Sequence, residues 1–363
     1  MSACDRCLRR AALLGTLVPR IARALDERRR LPALLALDDD TLVEAVCGRN
    51  RDAIDSRLAQ FDAPSARAEA TAAGLATICR HDDRFPPRLL HGPDAVAALW
   101  VLGDLARLRS VASEPAVAVV GARRPSAYGL EVAAELGREL AMAGLPVVSG
   151  MALGIDSAAH EGALAGRGLT VAVLPGGVDF AYPRSRAGLH RRIAAAGLVV
   201  SELPPATRPL RWSFPARNRI MAGLAAMTVV VEGTVRSGSL ITAGFAQDLG
   251  RELGAVPGQV TSALAAGPNG LIAEGAHVVR SAVDVLDVLY GAGGAPRPRR
   301  EAGAAALEPR LEGLLAAVER GEGSPDALAS DPAEAAKVLE GLTELELLGL
   351  VRREPSGRYI RAA

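Results

Sequence analysis

Between Tyr182 and Ala243 the chain concentrates side chains that hold phosphate and stack on bases. One segment, Trp212-Ser-Phe-Pro-Ala-Arg-Asn-Arg-Ile-Met221, joins aromatic, guanidinium and amide groups, and a loop of small residues, Arg236-Ser-Gly-Ser-Leu-Ile-Thr242, follows it. Eight arginines (184, 186, 191, 192, 208, 211, 217 and 219) stand there against one acid, Glu202, a local balance of +7 in a chain of formal charge +1. Tyr182, Trp212 and Phe214 lie in or beside the cluster, in a chain of 363 residues with only eleven aromatics. Guanidinium groups neutralise phosphates, and flat rings stack on unpaired bases. The segment therefore reads as a single-stranded nucleic-acid binder, with a solvated arginine-rich loop as the plainer alternative.

Four strand-to-helix loops carry a second signal. They are Gly121-Ala-Arg-Arg-Pro-Ser126, Ser149-Gly-Met-Ala-Leu-Gly-Ile-Asp156, Pro175-Gly-Gly177 and Gly233-Thr-Val-Arg-Ser-Gly-Ser239. Glycine lets backbone amides approach an anion, and each following helix adds the positive end of its dipole. Arg123 offers a planar fork to phosphate, and Ser126, Ser237 and Ser239 offer hydroxyls. Asp156 opens a helix and reads as a cap rather than a general base. Glu232, at a strand end, reads as the partner of Arg217 or Arg219 in a buried ion pair, with a catalytic role as the alternative. No Gly-x-Gly-x-x-Gly follows the first strand, and no Gly-x-x-x-x-Gly-Lys-Ser/Thr occurs, so a nicotinamide enzyme is disfavoured and a P-loop ATPase excluded.

The elements that must position these loops follow from apolar patterning. Residues 8 to about 62 read as short helices, over Leu8–Leu17, Ile21–Leu25, Leu31–Leu37 and Leu42–Val46, with Asp38 or Asp40 as a cap. From Ala116 to about Tyr290, short apolar runs (Val117–Val120, Pro146–Ser149, Thr170–Leu174, Leu198–Ser201, Thr228–Val231, Glu252–Val256) alternate with helical segments. Gly144, Gly166 and Gly197 follow three of those helices and suit the left-handed terminal position. This alternation predicts an α/β fold with a doubly wound parallel sheet, whose ligands bind beyond the carboxyl ends of its strands. Residues 291–302 read as a linker. Beyond it, three helices and a hairpin turning at Pro355-Ser-Gly357 predict a small winged-helix domain over 303–363. Its last helix carries Glu334, Glu340, Glu344 and Glu346 against Lys337, a balance of −3 that opposes reading duplex DNA.

The hydrophobic fraction of 49% marks a globular chain, although Ala and Gly supply much of it. Lys337 is the only lysine, so the choice of Arg over Lys reads as genomic bias, and only the clustering carries weight. No run of about 18 apolar residues lacks a charge, so no membrane span is expected, and the absence of a signal-peptide pattern points to the cytoplasm. Cysteines 4, 7, 47 and 79 do not make a disulfide framework. Cys4-x-x-Cys7 could begin a zinc site, but no second Cys pair or His pair lies nearby in sequence. The cysteines therefore read as reduced and incidental, and neither metal nor cofactor is expected.

Several blocks together resemble the DNA-processing protein A (DprA, or Smf) family. They are Val120–Gly129, Ser149–Asp156, Val173–Pro183, Phe214–Gly223, Ser237–Ala243 and Val256–Gly258, in the family's order and spacing. The resemblance implies an N-terminal helical (SAM-like) domain over 1–75, an extended Rossmann-like domain over 76–290 and a C-terminal winged helix. It implies a non-enzymatic homodimer that binds single-stranded DNA and loads the RecA recombinase onto incoming DNA in natural transformation. Carried over by position, Arg123 and Ser126 would hold a phosphate, Gly150 and the loop to Gly154 would offer amides, Arg217, Asn218 and Arg219 would line the pocket, and Ser237, Gly238 and Ser239 would close it. Gly121, Arg184 and Phe214 complete the expected DNA-binding set. Arg186, Pro175 and Gly233 depart from the family's usual residues. The alternative within the same superfold is a nucleoside-monophosphate phosphoribohydrolase, but Val178-Asp179 stands after Pro175-Gly-Gly177 where that chemistry uses Gly-Thr. A transcription regulator acting through the winged helix is a third reading.

Overall fold

In the computed structural model, residues 2–26, 31–48, 51–92, 94–294, 309–320, 322–328, 332–347, 350–353 and 357–361 are described. Nine strands among them form one sheet: β1 (Leu75–Cys79), β2 (Ala98–Gly103), β3 (Val117–Val120), β4 (Val147–Ser149), β5 (Thr170–Val173), β6 (Leu198–Ser201), β7 (Met227–Val230), β8 (Glu252–Ala255) and β9 (His277–Val278). Their order is β1-β2-β6-β5-β4-β3-β7-β8-β9. Strands β3 to β9 pair in parallel, and β2 runs antiparallel to β1 and β6. Val117 of β3 is paired with Val147 on one side and Met227 on the other. The winding reverses at β3, which makes the crevice beyond β3 and β7 the switch point of the sheet.

The central strands are wholly apolar because both faces are covered. Side chains alternate across a strand. Val117 and Val119 join a core with helices Ala127–Met142 and Ile155–Ala165, whereas Ala118 and Val120 join one with helices Ser213–Leu224 and Gly238–Asp248. The first helix pair packs backbone to backbone: a methyl added at Gly162 would overlap the Ala134 carbonyl, and one at Gly137 the Ala159 carbonyl. Of the three glycines expected in the left-handed region, only Gly144 is there, at φ +83°. Gly166 has φ −72°, and a methyl there would lie 2.5 Å from the Arg138 carbonyl, so close packing explains it instead.

At the N-terminus, Leu8–Leu17 and Ile21–Leu25 prove to be one helix, Asp5–Asp26, with Pro19 inside it. The apolar residues Leu14, Leu17, Val18 and Ile21 stay in phase across the proline and are all buried. Asp38 caps the helix Asp39–Cys47, accepting from the Thr41 amide at 2.9 Å. The N-terminal helices share a core with Leu203, Trp212 and Ala216, and the Trp212 indole donates to the Val18 carbonyl at 2.7 Å. Met1–Ala295 accordingly forms one compact unit, with no division in packing near residue 75. The second unit, Pro296–Ala363, contains helices Pro309–Glu319, Pro325–Leu328 and Pro332–Leu347 and an antiparallel pair, β10 (Val351–Arg353) with β11 (Tyr359–Arg361), around Leu311, Leu315, Leu342, Leu345 and Tyr359. Most of the expected linker and most of the expected hairpin turn lie outside the described residues. No described helix is long and apolar enough to cross a membrane.

Replacing Trp212 with alanine removes the indole that packs the N-terminal helices against the start of the helix Ser213–Leu224. A loss of about 3–5 kcal/mol is expected in urea unfolding monitored by circular dichroism. A loss below about 1 kcal/mol would show that the tryptophan is not part of this core.

Candidate nucleic-acid interface

The site grows from the phase of one helix. In Ser213–Leu224, the residues Phe214, Arg217, Asn218 and Met221 recur at helical spacing and line a cavity of about 300 Å³. The opposite wall is Gly121 and Arg123 after β3, Ala152 and Asp156 after β4, and Ser237, Gly238 and Ser239 after β7. A second cavity of about 180 Å³ adjoins it and shares Arg123, Ala152, Phe214 and Arg217, with Gly150, Pro175 and Tyr182 completing its wall. Helices Ile155–Ala165 and Gly238–Asp248 begin at the first cavity, so two helix N-termini add positive potential there.

Arg217 is the buried cation of the site, at 5% exposure. One of its terminal nitrogens donates to the Val173 carbonyl at 2.9 Å, and its Nε has no hydrogen-bond partner among the described residues. Gly150 lets it in, since a methyl at that position would overlap the guanidinium. Burial pushes the Arg217 pKa down to about 10, opposed by the charge of Asp156, so it remains protonated at neutral pH. Burial pushes the Asp156 carboxyl up, opposed by Arg217, and the Ala152 amide donates to it at 3.4 Å. The cap of that helix is Gly154, at φ +83°, and Asp156 lies in the first turn. Beneath them His160 is fully buried against the Thr170 hydroxyl at 2.6 Å, and burial, then the charge of Arg217, lowers its pKa to about 3.

The mouth is aromatic and cationic. The exposed Arg123 guanidinium lies over the Phe214 ring, 5.1 Å from its centroid, and Tyr182 meets the same ring at 5.4 Å. Asn218 donates to the Gly238 carbonyl at 3.3 Å and fixes the small-residue loop, while the Ser237 and Ser239 hydroxyls bond each other at 2.8 Å.

Several expected roles are reassigned. Ser126 is not directed at the cavity: its hydroxyl and amide both donate to Glu232, at 2.6 and 2.8 Å, and it caps the helix Ala127–Met142. Glu232 therefore pairs with neither Arg217 nor Arg219. Arg219 lies on the opposite side of its helix, buried against Glu202 at 2.5 Å and Asp94 at 3.5 Å. Two residues along a helix turn about 200°, so Arg217 and Arg219 cannot serve one pocket. Trp212 is buried in the N-terminal core and cannot stack on a base. Gly176 and Gly177 pack against residues 205–209 rather than lining either cavity. Arg184 is exposed but lines neither cavity, and Arg186 pairs with Glu161 at 3.5 Å. The eight arginines thus do not form one patch. The sequence reading also missed that Cys79 and His81 stand beside Cys4 and Cys7. No local spacing signals this, because more than 70 residues separate the two pairs.

The profile of the DNA recombination-mediator protein A family matches residues 76–290, the stretch that builds the sheet and both cavities. The chain belongs to that family. The putative DNA processing protein DprA of Mycobacterium tuberculosis is 43% identical over 274 residues, covering 73% of this chain and 69% of the relative. Among solved structures, DNA processing protein A of Streptococcus pneumoniae is 33% identical with a TM-score of 0.60, covering 79% of this chain and 98% of that one. A Helicobacter pylori member, solved to describe its single-stranded DNA binding mode, is 30% identical with a TM-score of 0.51, covering 59% and 95%.

His160 gives the family fold here a pH dependence. Its folded pKa of about 3 lies below the ordinary 6.5, so between those values the unfolded chain binds the extra proton. The His160 contribution is present above pH 6.5 and is lost as pH falls through the window, by about 2 kcal/mol at pH 5. His160→Gln should flatten the urea midpoint between pH 7 and 5. An unchanged pH slope in that variant would contradict the buried neutral assignment.

Proposed function

We propose that the chain binds single-stranded DNA at the paired cavities and acts as a recombination mediator. The observation that carries this reading is Arg217: a buried guanidinium at the switch point of the sheet, fixed by one carbonyl and without an ion pair among the described residues. A backbone phosphate would complete it, with Gly121, Gly150, Gly154 and Gly238 keeping the loops close and Arg123 pairing a neighbouring phosphate. The Phe214 and Tyr182 rings would take an unpaired base, which favours single strands over duplex. The binding described for the Helicobacter pylori relative supports the same reading. Homodimerisation and loading of the RecA recombinase during natural transformation belong to the proposal through family membership.

The proposal includes no covalent chemistry. Both Glu232 oxygens are engaged by Ser126. Gly176 and Gly177 are covered by the segment around Thr207, whose carbonyl accepts from the Gly177 amide at 2.9 Å. Both arrangements disfavour hydrolysis of a nucleoside monophosphate, and incubation with AMP should release no adenine. In the C-terminal unit, Arg310 lies 3.6 and 3.5 Å from Glu340 and Glu344, so this cation is held by the acidic helix rather than presented to a phosphate. That unit is proposed to contact protein rather than read duplex sequence.

The test is an anisotropy titration of a single-stranded oligonucleotide and its blunt duplex at two salt concentrations. Tighter single-strand binding is expected, weakening with salt by a slope of about −0.7 per neutralised phosphate. A chain ending at Gly291 should keep most of that affinity. Equal duplex binding, or loss of binding on truncation, would contradict the assignment.

A further inference from the structure

Cys4, Cys7, Cys79 and His81 come together far from the cavities just described. Cys4 precedes the helix Asp5–Asp26 and Cys7 lies in its first turn, while Cys79 ends β1 and His81 follows in the next turn. The His81 Nδ1 atom is 3.4, 3.5 and 3.9 Å from the sulfurs of Cys4, Cys7 and Cys79, and all four donor atoms lie within 4.8 Å of one another. We propose that these four residues bind one zinc ion, which fastens the N-terminal helix to the edge strand β1.

Three observations carry the proposal. First, the spacing fits the ion: Zn–S of about 2.3 Å and Zn–N of about 2.0–2.1 Å in a tetrahedron place sulfur and nitrogen roughly 3.5–3.6 Å apart. Second, the donors are of the right kind and number. Three sulfurs and one imidazole select a soft, four-coordinate ion, and four protein ligands leave no open position, which marks a structural site. Third, the backbone holds the set in place without the metal: the Ala3 amide donates to the Thr77 carbonyl at 3.2 Å, and the Cys4 amide points to the Cys79 sulfur at 3.3 Å. An amide directed at a sulfur is a contact that supports a thiolate ligand. Cys7 and Cys79 are buried, so the ion would be shielded on its inner side. Three thiolates and zinc carry a net charge of −1, and the adjoining cavity is lined by Arg6, Arg10 and Arg80 together with Asp38, Asp39 and Asp40, so its lining is balanced in charge. The N-terminal helix packs under Trp212, so the ion would brace the same helix that supports the DNA-binding segment.

The experiment measures metal in the full chain purified under reducing conditions without a metal-affinity tag. One zinc per chain is expected by plasma mass spectrometry. Replacement by cobalt(II) should give thiolate-to-cobalt charge transfer and the visible bands of a tetrahedral ion. Cys79→Ser should lose the zinc, whereas Cys47→Ser should retain it. Should Cys79→Ser fail to fold, His81→Cys supplies the fourth ligand by another sulfur, and it should keep one metal and shift the cobalt spectrum to that of a tetrathiolate. Chain without zinc that also gives no tetrahedral cobalt spectrum would overturn the proposal. So would zinc retained in full by Cys79→Ser.

Discussion

A single buried guanidinium sets the terms for the rest of the site. Desolvating Arg217 is costly, and the structure meets that cost with the Val173 carbonyl and the nearby Asp156 rather than with a contact ion pair. The consequences spread outward. Residue 150 must lack a side chain. His160 must stay neutral beneath the charge, and its low pKa is partly the effect of Arg217. An arginine already stripped of water and held in one orientation has little left to lose on meeting a phosphate, so its charge is available at low reorganisation cost.

The helix Ser213–Leu224 divides its labour by face. Phe214, Arg217 and Asn218 look into the cavities. Ile220 and Leu224 enter the sheet core, and Ala216, with Trp212 just before the helix, enters the N-terminal core. Arg219 ties the helix to Glu202 after β6 and to Asp94 before β2. Removing one partner of such a buried pair leaves the other uncompensated, at a cost of about 3–5 kcal/mol. The positioning of Arg217 therefore rests on contacts with three separate regions of the chain.

The central strands and most of their helices were legible because a sheet covered on both faces needs uninterrupted apolar runs, and Val117–Val120 and Thr170–Leu174 stand out as such. The outer strands were not. β9 has two exposed residues, and β1 and β2 lie outside the regular strand–helix alternation. Within the candidate site, Arg123, Phe214, Arg217, Asn218 and the Ser237–Ser239 loop, grouped from the sequence, line one cavity in the structure. Arg219, Trp212 and Ser126 were misread because residue type alone does not say which way a side chain faces. The Cys–His cluster was hidden for a different reason. Its two pairs are local, but their meeting depends on how the N-terminal helix docks on β1, which no nearby spacing encodes.

Arg217 is proposed to hold DNA, whereas Arg219 is tied into the fold by Glu202 and Asp94. Comparing Arg217→Ala with Arg219→Ala, each assayed for single-strand affinity and for urea stability, tests this division most directly. Arg217→Ala should weaken binding roughly tenfold to a hundredfold while remaining folded. Arg219→Ala should lose stability and, where folded, bind nearly as the parent chain does. Parent-like binding by Arg217→Ala, or an equal loss of affinity in folded Arg219→Ala, would contradict the account.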